Sequence, residues 1–491
     1  MPELPGVTAA SPNLVLSNAR VAGEAGKAGE AVDIAIADGR IASITPASGA
    51  SDGIDLNGRW VSPGLWDHHV HFTQWALSRQ RLDVSSATSA HATADRVAAS
   101  IGTALPGITF VGAGFRDAMW EDAPSVELLD SATGGVPTVL ISGDLHAVWL
   151  NSAALSLYGF AGHPTGLLRE DPAFEITRQL TTVPDDVLDS WAIEAGEAAA
   201  KRGVVGVIDL EMRWNLDDWQ RRIANGFDSL RVEFGVYPQH LERAISDGLH
   251  TGKKLNNLLT VGRFKVLTDG SLNTRTAYCF EPYPGTDDRG MLTVSPEHLI
   301  PLMARATGAG IDPTVHAIGD HANSLALDAF EKLGCRGSIE HAQLLTATDI
   351  PRFGKLGVIA SVQPDHALDD RDIADRHWAG RTNRAFALRS LLDSGAELAL
   401  GSDAPVSPLD PWRTIAAAVE RTRGEREPWH PEQRISVAEA MAASTRSRVA
   451  VGEVADLIVT ETDPLEARGE ALESMEVAAT LLGGRFTHRQ L

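Results

Sequence analysis

The stretch PGLWDHHVHF, residues 63–72, places two histidines, His69 and His71, two positions apart at the end of an apolar run. Residues 61–65 are mostly apolar and include proline and glycine, and they predict a strand that ends at these histidines. Alternate side chains of a strand share one face, so we expect both imidazoles to point the same way. Two neutral imidazoles on one face can bind a divalent ion. A pair of ordinary histidines is the alternative, and further ligands at other strand ends decide between the two.

Composition places the chain among ordinary globular proteins. Its 491 residues are 43% hydrophobic and 22% charged, and this length suits one large domain plus a smaller one. The net charge of -22 repels phosphate backbones and anionic lipid. We therefore expect a small-molecule partner, and neither nucleic acid nor a membrane.

Cysteine usage and the chain start indicate a cytoplasmic protein. Cys279 and Cys335 are the two cysteines, too few for a disulfide framework. Residues 1–13 lack the basic start and apolar run of a secretory signal. The sequence also lacks a run of about 18 apolar residues, so it predicts no membrane span.

Strand-like runs near both chain ends predict a small β-sandwich domain. Those near the start are residues 14–16, 32–36, 40–44 and 53–56, and those near the end are residues 455–459 and 477–482. We predict that residues 1–60 and 446–491 form this domain together, with a large domain inserted between them.

The inserted domain repeats a strand followed by a helix. Besides the strand before His69, strand-like runs occupy residues 204–208, 230–236, 264–267, 314–316, 337–341, 358–362 and 397–400. Alanine-rich amphipathic stretches predict helices at residues 184–201, 296–309, 322–332 and 384–394. Alternating strands and helices form parallel sheets, and eight such units predict an α/β fold with a (β/α)8 barrel of TIM type over residues 61–445.

One interval, residues 75–182, is far longer than a loop between the first and second barrel strands. It has strand signals of its own at residues 108–112 and 138–141. Long insertions in barrels usually lie in the loops around the active site, so we predict an inserted subdomain over the barrel mouth.

Residues that can bind a metal recur at the predicted strand ends, where barrels carry their reacting groups. They are His69, His71, Lys265, His316, His341 and Asp403. Each has an ordinary explanation by itself: a buried structural histidine, a turn aspartate or an interior lysine. Because histidine is only 16 of 491 residues, chance explains the whole set poorly. The sequence therefore predicts a metal site.

From about residue 14 to its end, the chain resembles the amidohydrolase superfamily of metal-dependent hydrolases. Within it, the chain is most similar to the branch of N-substituted formamide deformylases and YtcJ-like proteins. The resemblance is carried by SPGLWDHHVH (62–71), DLHAVWLN (144–151), KVLTDGSL (265–272), HAIGD (316–320), EHA (340–342), SVQP (361–364) and GSDAPV (401–406).

This resemblance implies how the ligands share one or two divalent ions, zinc or a related metal. His69, His71 and Asp403 would hold the more buried ion, and His316 and His341 the more exposed one. Lys265 would bridge the two ions if carbon dioxide carboxylates its amine, since an ammonium group would be repelled. A one-metal site with unmodified Lys265 is the alternative.

The resemblance also implies hydrolysis of a C–N bond. A divalent ion lowers the pKa of a bound water from about 15.7 towards 7, and Asp403 would act as both ligand and general base. We expect substrate contacts from His146 in the insertion and from Asp365, His366 and Arg384 after the seventh strand. A structural histidine at a helix start is the alternative for His146.

Three other functions remain open. An ester or lactone hydrolase would use the same attack on a carbonyl. A single-metal deaminase usually has a glutamate shortly after the fifth-strand histidine, and HAIGD at 316–320 has none. A catalytically silent scaffold would have lost ligands, whereas all six positions are filled. Substrate identity does not follow from the sequence, and a homodimer is the default expectation.

Overall fold

The computed structural model describes residues 14–23, 30–49, 53–115, 117, 120–142, 147–169, 171–180, 183–272 and 275–491. Two compact units make up the chain, Met1–Phe72 with Gly196–Leu491, and Thr73–Ala195. Of the helices in the described ranges, none has both the length and the apolar character needed to cross a membrane.

Strands occur along the whole described chain. They are β1 (Leu14–Val21), β2 (Val32–Ala37), β3 (Arg40–Pro46), β4 (Ile54–Asp55), β5 (Trp60–Pro63), β6 (Leu65–Val70), β7 (Leu82–Asp83), β8 (Phe110–Phe115), β9 (Thr138–Ser142), β10 (Ala147–Leu150), β11 (Leu167–Arg169), β12 (Val204–Asp209), β13 (Arg231–Val236), β14 (Leu259–Leu267), β15 (Pro313–Ala317), β16 (Gly337–His341), β17 (Val358–Val362), β18 (Leu398–Leu400), β19 (Leu457–Thr460), β20 (Val477–Leu482) and β21 (Arg485–Arg489).

Helices alternate with these strands through most of the chain. They are α1 (Phe72–Ser78), α2 (Ala90–Ser100), α3 (Val126–Thr133), α4 (Ser152–Leu157), α5 (Asp171–Gln179), α6 (Asp185–Ala200), α7 (Asn215–Ala224), α8 (Leu241–Ser246), α9 (Pro296–Gly308), α10 (Asp320–Leu333), α11 (Ile350–Leu356), α12 (Pro364–His377), α13 (Leu388–Asp393), α14 (Pro411–Glu420), α15 (Val437–Ala442) and α16 (Gly469–Glu473).

Eight parallel strands form the barrel, in the order β6, β12, β13, β14, β15, β16, β17 and β18. Central parallel strands are covered on both faces, which explains why runs such as VVGVID in β12 are buried throughout. Backbone hydrogen bonds close the barrel just beyond β18: Asp403 donates to the His69 carbonyl and His71 to the Ala404 carbonyl, both at 2.8 Å. The predicted (β/α)8 barrel is confirmed.

The first barrel strand differs from the prediction. Residues 61–65 were expected to be one strand running to the histidines, but β5 ends at Pro63 and β6 begins at Leu65. Gly64 separates them, and a Cβ there would lie 2.3 Å from Cγ1 of Val205 on β12. Only glycine allows this approach, so the chain leaves one sheet and enters the barrel at this position.

Both chain ends contribute to a second sheet, as the sequence predicts. Its order is β21, β20, β19, β5, β1, β2, β3, with β4 beside β1. In it, β5 runs parallel to β1 and antiparallel to β19. Buried apolar side chains from both ends form its core, among them Ile34, Val61, Leu457 and Leu481.

The unit Thr73–Ala195 has its own sheet, in the order β11, β10, β9, β8, β7. Trp149 on β10 is fully buried in its core, and its indole N–H donates to the Ser125 carbonyl at 3.0 Å. Asn151, also fully buried, caps α4 by accepting from Ala154 N–H. Strands, helices and a buried core of its own explain the length of the interval seen in the sequence.

Candidate metal centre

His69 and His71 occupy alternate positions at the carboxyl end of β6 and share one partner, as the spacing predicts. The Oδ1 atom of Asp403 lies 3.4 Å from His69 Nε2 and 3.3 Å from His71 Nε2. These three residues offer ligand atoms that all lie within 4.8 Å of one another. The backbone bond from Asp403 to His69 holds the two strand ends together.

A second group of possible ligands shares the same aspartate. His341 at the end of β16, His366 in the first turn of α12, and Asp403 offer atoms within 4.8 Å of one another. His366 Nε2 lies 4.0 Å from Asp403 Oδ2, and the rings of His341 and His366 are stacked at 6.3 Å. The sequence predicted a substrate contact at His366, and the structure places its imidazole among the possible metal ligands.

His316 on β15 lies beside the centre. Its ring centroid is 4.5 Å from that of His341. Its Nε2 atom, however, faces two oxygens, Asp269 Oδ1 and the Gly270 carbonyl, each at 3.4 Å. The sequence predicted that His316 and His341 hold one metal ion together. In the structure their rings are neighbours, but His316 Nε2 points at the loop after β14.

Lys265 lies on β14 and is only 2% exposed. Its Nζ atom is buried and has no hydrogen-bond partner among the described residues. Burial lowers the pKa of this amine to about 8, although Glu340 and Asp403 oppose the shift. A lysine with this pKa carries a neutral, nucleophilic fraction near neutral pH.

Glu340 orients the most buried histidine of the centre. His69 Nδ1 donates to Glu340 Oε2 at 2.7 Å, and the other carboxylate oxygen accepts from Thr314 Oγ1 at 2.6 Å and Ser338 Oγ at 2.9 Å. Burial alone would raise the pKa of Glu340, but the hydrogen bond from His69 and the nearby Lys265 hold it well below its usual range. An ionised carboxylate can only accept a hydrogen bond, so the neutral His69 ring carries its proton on Nδ1. Its Nε2 atom is then free to bind a metal.

Asp67 and His68, which precede His69 on β6, form hydrogen bonds that hold neighbouring parts of the barrel together. Asp67 Oδ1 accepts from His69 N–H at 3.1 Å and Ser402 N–H at 2.9 Å, which joins β6 to the residues after β18. His68 uses both ring nitrogens: Nδ1 contacts the Leu400 carbonyl at 3.0 Å and Nε2 accepts from Arg446 at 3.3 Å. Burial lowers the pKa of His68 to about 3, so it stays neutral and structural.

Three residues of the site have a strained backbone conformation. His341, Ala342 and Asp403 have φ values of 74°, 40° and 57°, in the left-handed region that non-glycine residues rarely occupy. Such strain persists where the surroundings dictate one conformation, as at binding sites. Gly401 allows the close approach, since a Cβ there would lie 2.7 Å from His69 N.

The donor set fits a divalent metal ion. His341 Nδ1 and His366 Nε2 are buried and, like Lys265 Nζ, without a hydrogen-bond partner in the described part of the chain. Buried polar atoms without partners cost free energy, which a bound cation would offset at the two imidazoles. Imidazole nitrogens and a carboxylate are ligands that zinc and related ions prefer.

A cavity of about 470 Å³ opens onto these ligands. Its size suits a small molecule. The wall beyond the ligands is largely apolar with a few polar groups, and includes Met212, Leu267, Leu272, Ile318, Val406, Tyr237, Gln343, Asp369 and Asp370. Tyr237, which no sequence motif marks, follows β13 directly and donates its hydroxyl proton to the Leu210 carbonyl at 2.6 Å.

The other predicted substrate contacts differ in their placement. Asp365 is 2% exposed and is paired with Arg413 at 3.0 Å and with Arg423, and it does not belong to the described cavity wall. Arg384 donates to the Leu345 carbonyl and likewise does not line the described cavity. His146 lies outside the described residues.

A parallel (β/α)8 barrel with imidazoles and a carboxylate converging at its strand ends defines the class of metal-dependent barrel hydrolases. The family model described as "Amidohydrolase family" matches residues 52–488. The chain belongs to this family.

Three relatives support the same family. LONG AFTER FAR-RED 3 of Arabidopsis thaliana is 30% identical, over 88% of this chain and 83% of that protein. The protein named "Putative amidohydrolase YtcJ" of Bacillus subtilis (strain 168) is 26% identical over 89% of this chain and 90% of its own length. N-substituted formamide deformylase of Arthrobacter pascens is 24% identical over 96% of this chain and 97% of its own length. The predicted branch of the superfamily is confirmed.

A solved structure agrees with these relatives. An uncharacterized metal-dependent hydrolase from Pyrococcus horikoshii OT3 matches with a TM-score of 0.76 and 25% identity, over 92% of this chain and 98% of that chain. The protein is therefore a metal-dependent hydrolase of the amidohydrolase family.

Proposed function

We propose that the protein hydrolyses the C–N bond of a small neutral amide, such as an N-substituted formamide. The observation that carries the proposal is the position of Asp403 between the two groups of imidazoles, with Oδ1 near His69 and His71 and Oδ2 near His366. One carboxylate can thus serve as a ligand and still face a reacting water.

Asp403 has the charge state that this role needs. Burial alone would raise the pKa of its carboxyl group, but the imidazoles of His69 and His71 hold it well below its usual range. A bound divalent ion supplies the acid strength, because it lowers the pKa of water and polarises a carbonyl. Asp403 would accept the water proton and pass it to the leaving nitrogen, which neutral amides require because they leave poorly as anions.

Lys265 is the residue that would join two ions. We propose that its neutral amine attacks carbon dioxide, forms a new N–C bond and releases one proton, which leaves a carboxylate on the side chain. The buried, unpaired amine and its pKa of about 8 support this step. Two zinc ions per chain would fit the modified lysine, and one ion would fit the unmodified form.

The bond type is taken from one relative. A relative named N-substituted formamide deformylase aligns with 96% of this chain. A cavity of about 470 Å³ with largely apolar walls suits a small N-substituted formamide. We therefore expect N-substituted formamides to be better substrates than larger amides.

Metal analysis combined with a substrate panel tests the proposal. The purified protein is assayed on N-substituted formamides, simple amides, esters and lactones, before and after chelation, and again after zinc is restored. We expect amide or formamide turnover that chelation removes and zinc restores. Unchanged turnover after complete metal removal would overturn the mechanism. Turnover confined to esters and lactones would overturn the bond type, and ammonia release from an amino-substituted ring would indicate a deaminase instead.

A further inference from the structure

A second cavity, of about 530 Å³, lies within the unit Thr73–Ala195. Its wall is formed largely by apolar side chains, including Leu77, Ile108, Leu180 and Trp191. Leu105 and Leu157 also line it, and they are 44% and 61% exposed. Large apolar side chains left in contact with solvent around a concavity indicate a binding surface.

One cation, Arg81, lines this apolar cavity. Its side chain is partly buried and forms neither a hydrogen bond nor an ion pair with any residue that the structure describes. Burial lowers the pKa of the Arg81 guanidinium below its ordinary value, and no neighbouring acid offsets that shift. A partly desolvated cation without a counter-ion costs free energy, which a bound anion would recover.

Most of the other polar side chains of the wall already have partners, including Gln80, whose Nε2 donates to Glu194 Oε2 at 3.5 Å. Thr109 Oγ1 and Tyr158 OH share a hydrogen bond of 3.0 Å. Thr103 Oγ1 donates to the Ser100 carbonyl at 2.8 Å. Gln179 Nε2 donates to Glu175 Oε1 at 2.7 Å. Arg81 is therefore the charged group of the described wall that remains available to a ligand.

We propose that this cavity binds a small amphipathic carboxylate, with the carboxylate on Arg81 and the apolar body against Leu77, Ile108 and Trp191. A single planar guanidinium matches a carboxylate through two parallel hydrogen bonds. The apolar wall suits a hydrocarbon body better than a sugar or a nucleotide. The metal-binding residues all belong to the other unit, so this site is additional to the proposed hydrolysis.

Binding of three ten-carbon probes to the whole, metal-loaded protein tests the proposal by isothermal titration calorimetry. Decanoate carries the carboxylate, decanol removes the charge and decylamine reverses it. We expect decanoate to bind about ten-fold or more tightly than decanol, because a charge-assisted hydrogen bond contributes about that much. Decylamine should bind more weakly still. This comparison needs no variant, so it holds even if a substitution impairs folding.

Matched variants locate the binding. Arg81→Gln should weaken decanoate binding about ten-fold and leave decanol binding unchanged. Arg79→Gln removes the same charge two residues away, and the Arg79 side chain is exposed and packs over Trp75. This variant should leave the binding of decanoate and of decanol unchanged. Ala104→Trp, which places a ring in the cavity wall, should abolish binding of both probes.

Several results would overturn the proposal. They are the absence of saturable decanoate binding, equal affinities for decanoate and decanol, and undiminished decanoate binding in Arg81→Gln. Decanoate inhibition competitive with an amide substrate would assign the probe to the metal centre, and would also overturn it. If the intact protein hydrolyses no amide but still binds decanoate more tightly than decanol, the proposed hydrolysis is refuted and the carboxylate site is not.

Discussion

Replacing Glu340 with glutamine tests whether a buried carboxylate orients His69 for metal binding. The substitution keeps the shape of the side chain and removes its charge. It changes three short hydrogen bonds, from His69 Nδ1, Thr314 Oγ1 and Ser338 Oγ. The glutamine amide also lets the His69 ring adopt either tautomer, so Nε2 no longer has to be the free nitrogen.

The expected magnitude follows from the charge on the acceptor. A hydrogen bond to an ionised group contributes about 1.5–3 kcal/mol and a neutral one about 0.5–1.5 kcal/mol. Losing the charge-assisted bond from His69 therefore costs about 1–2 kcal/mol, which is about 5–30-fold in metal affinity. This range overlaps the roughly 10–100-fold losses typical when the partner of a metal-binding histidine is removed.

The assay is zinc affinity measured by competition with a fluorescent chelator, together with kcat at saturating zinc. We expect Glu340→Gln to lose affinity about ten-fold, with a smaller change in kcat once the metal is bound. Ser338→Ala, which removes one neutral donor and keeps the carboxylate, should have a smaller effect. Glu331→Gln on α10, 48% exposed, is the matched control for charge. Wild-type zinc affinity in a folded Glu340→Gln protein would refute the assigned role of this carboxylate.

Three further predictions concern the closure of the barrel and its charges. Asp403→Asn should abolish turnover and keep part of the metal, and near-normal turnover would remove Asp403 from the role of base. Gly401→Ala should lower the free energy of unfolding by about 1–3 kcal/mol, since its Cβ would lie 2.7 Å from His69 N; an unchanged melting temperature would contradict the close approach. Burial and the charge of Glu211 raise the pKa of Asp209 from 3.8 to about 6, so the folded chain holds a proton that the unfolded chain releases between these values. Stability should fall as the pH rises through that window, and urea unfolding of Asp209→Asn should show no such decline.

The barrel strands could be predicted because parallel strands are buried on both faces. Runs such as VVGVID in β12 are continuous apolar segments, and the helices between them have a different period. The break at Gly64 was missed although the Pro63-Gly64 dipeptide is a turn signal. The approach of Val205 to Gly64, which explains why the chain changes sheets there, is visible only in the structure. The predicted helix at 384–394 is shorter, with α13 beginning at Leu388, because Arg384 belongs to a preceding 3-10 turn.

The site was predictable where local geometry decides it. Alternate positions on a strand bring His69 and His71 to one partner whatever the rest of the chain does. The roles of Glu340 and His366 depend instead on which strand ends meet, and on where α12 begins after β17. Asp365 illustrates the opposite case, because a charged residue after a barrel strand looks like a substrate contact until its arginine partners are known.

The sheet built from both chain ends affects how the protein is made. β5 is synthesised before all eight strands of the barrel are complete, whereas its antiparallel neighbour β19 is synthesised after them. The same delay holds for the centre, because Asp403 bonds to His69 only after the eighth strand exists. Contacts this distant along the chain form slowly and leave strand edges exposed meanwhile. The strands before the barrel therefore wait longest for their partners, and the candidate metal centre cannot assemble until the segment after the eighth strand has been made.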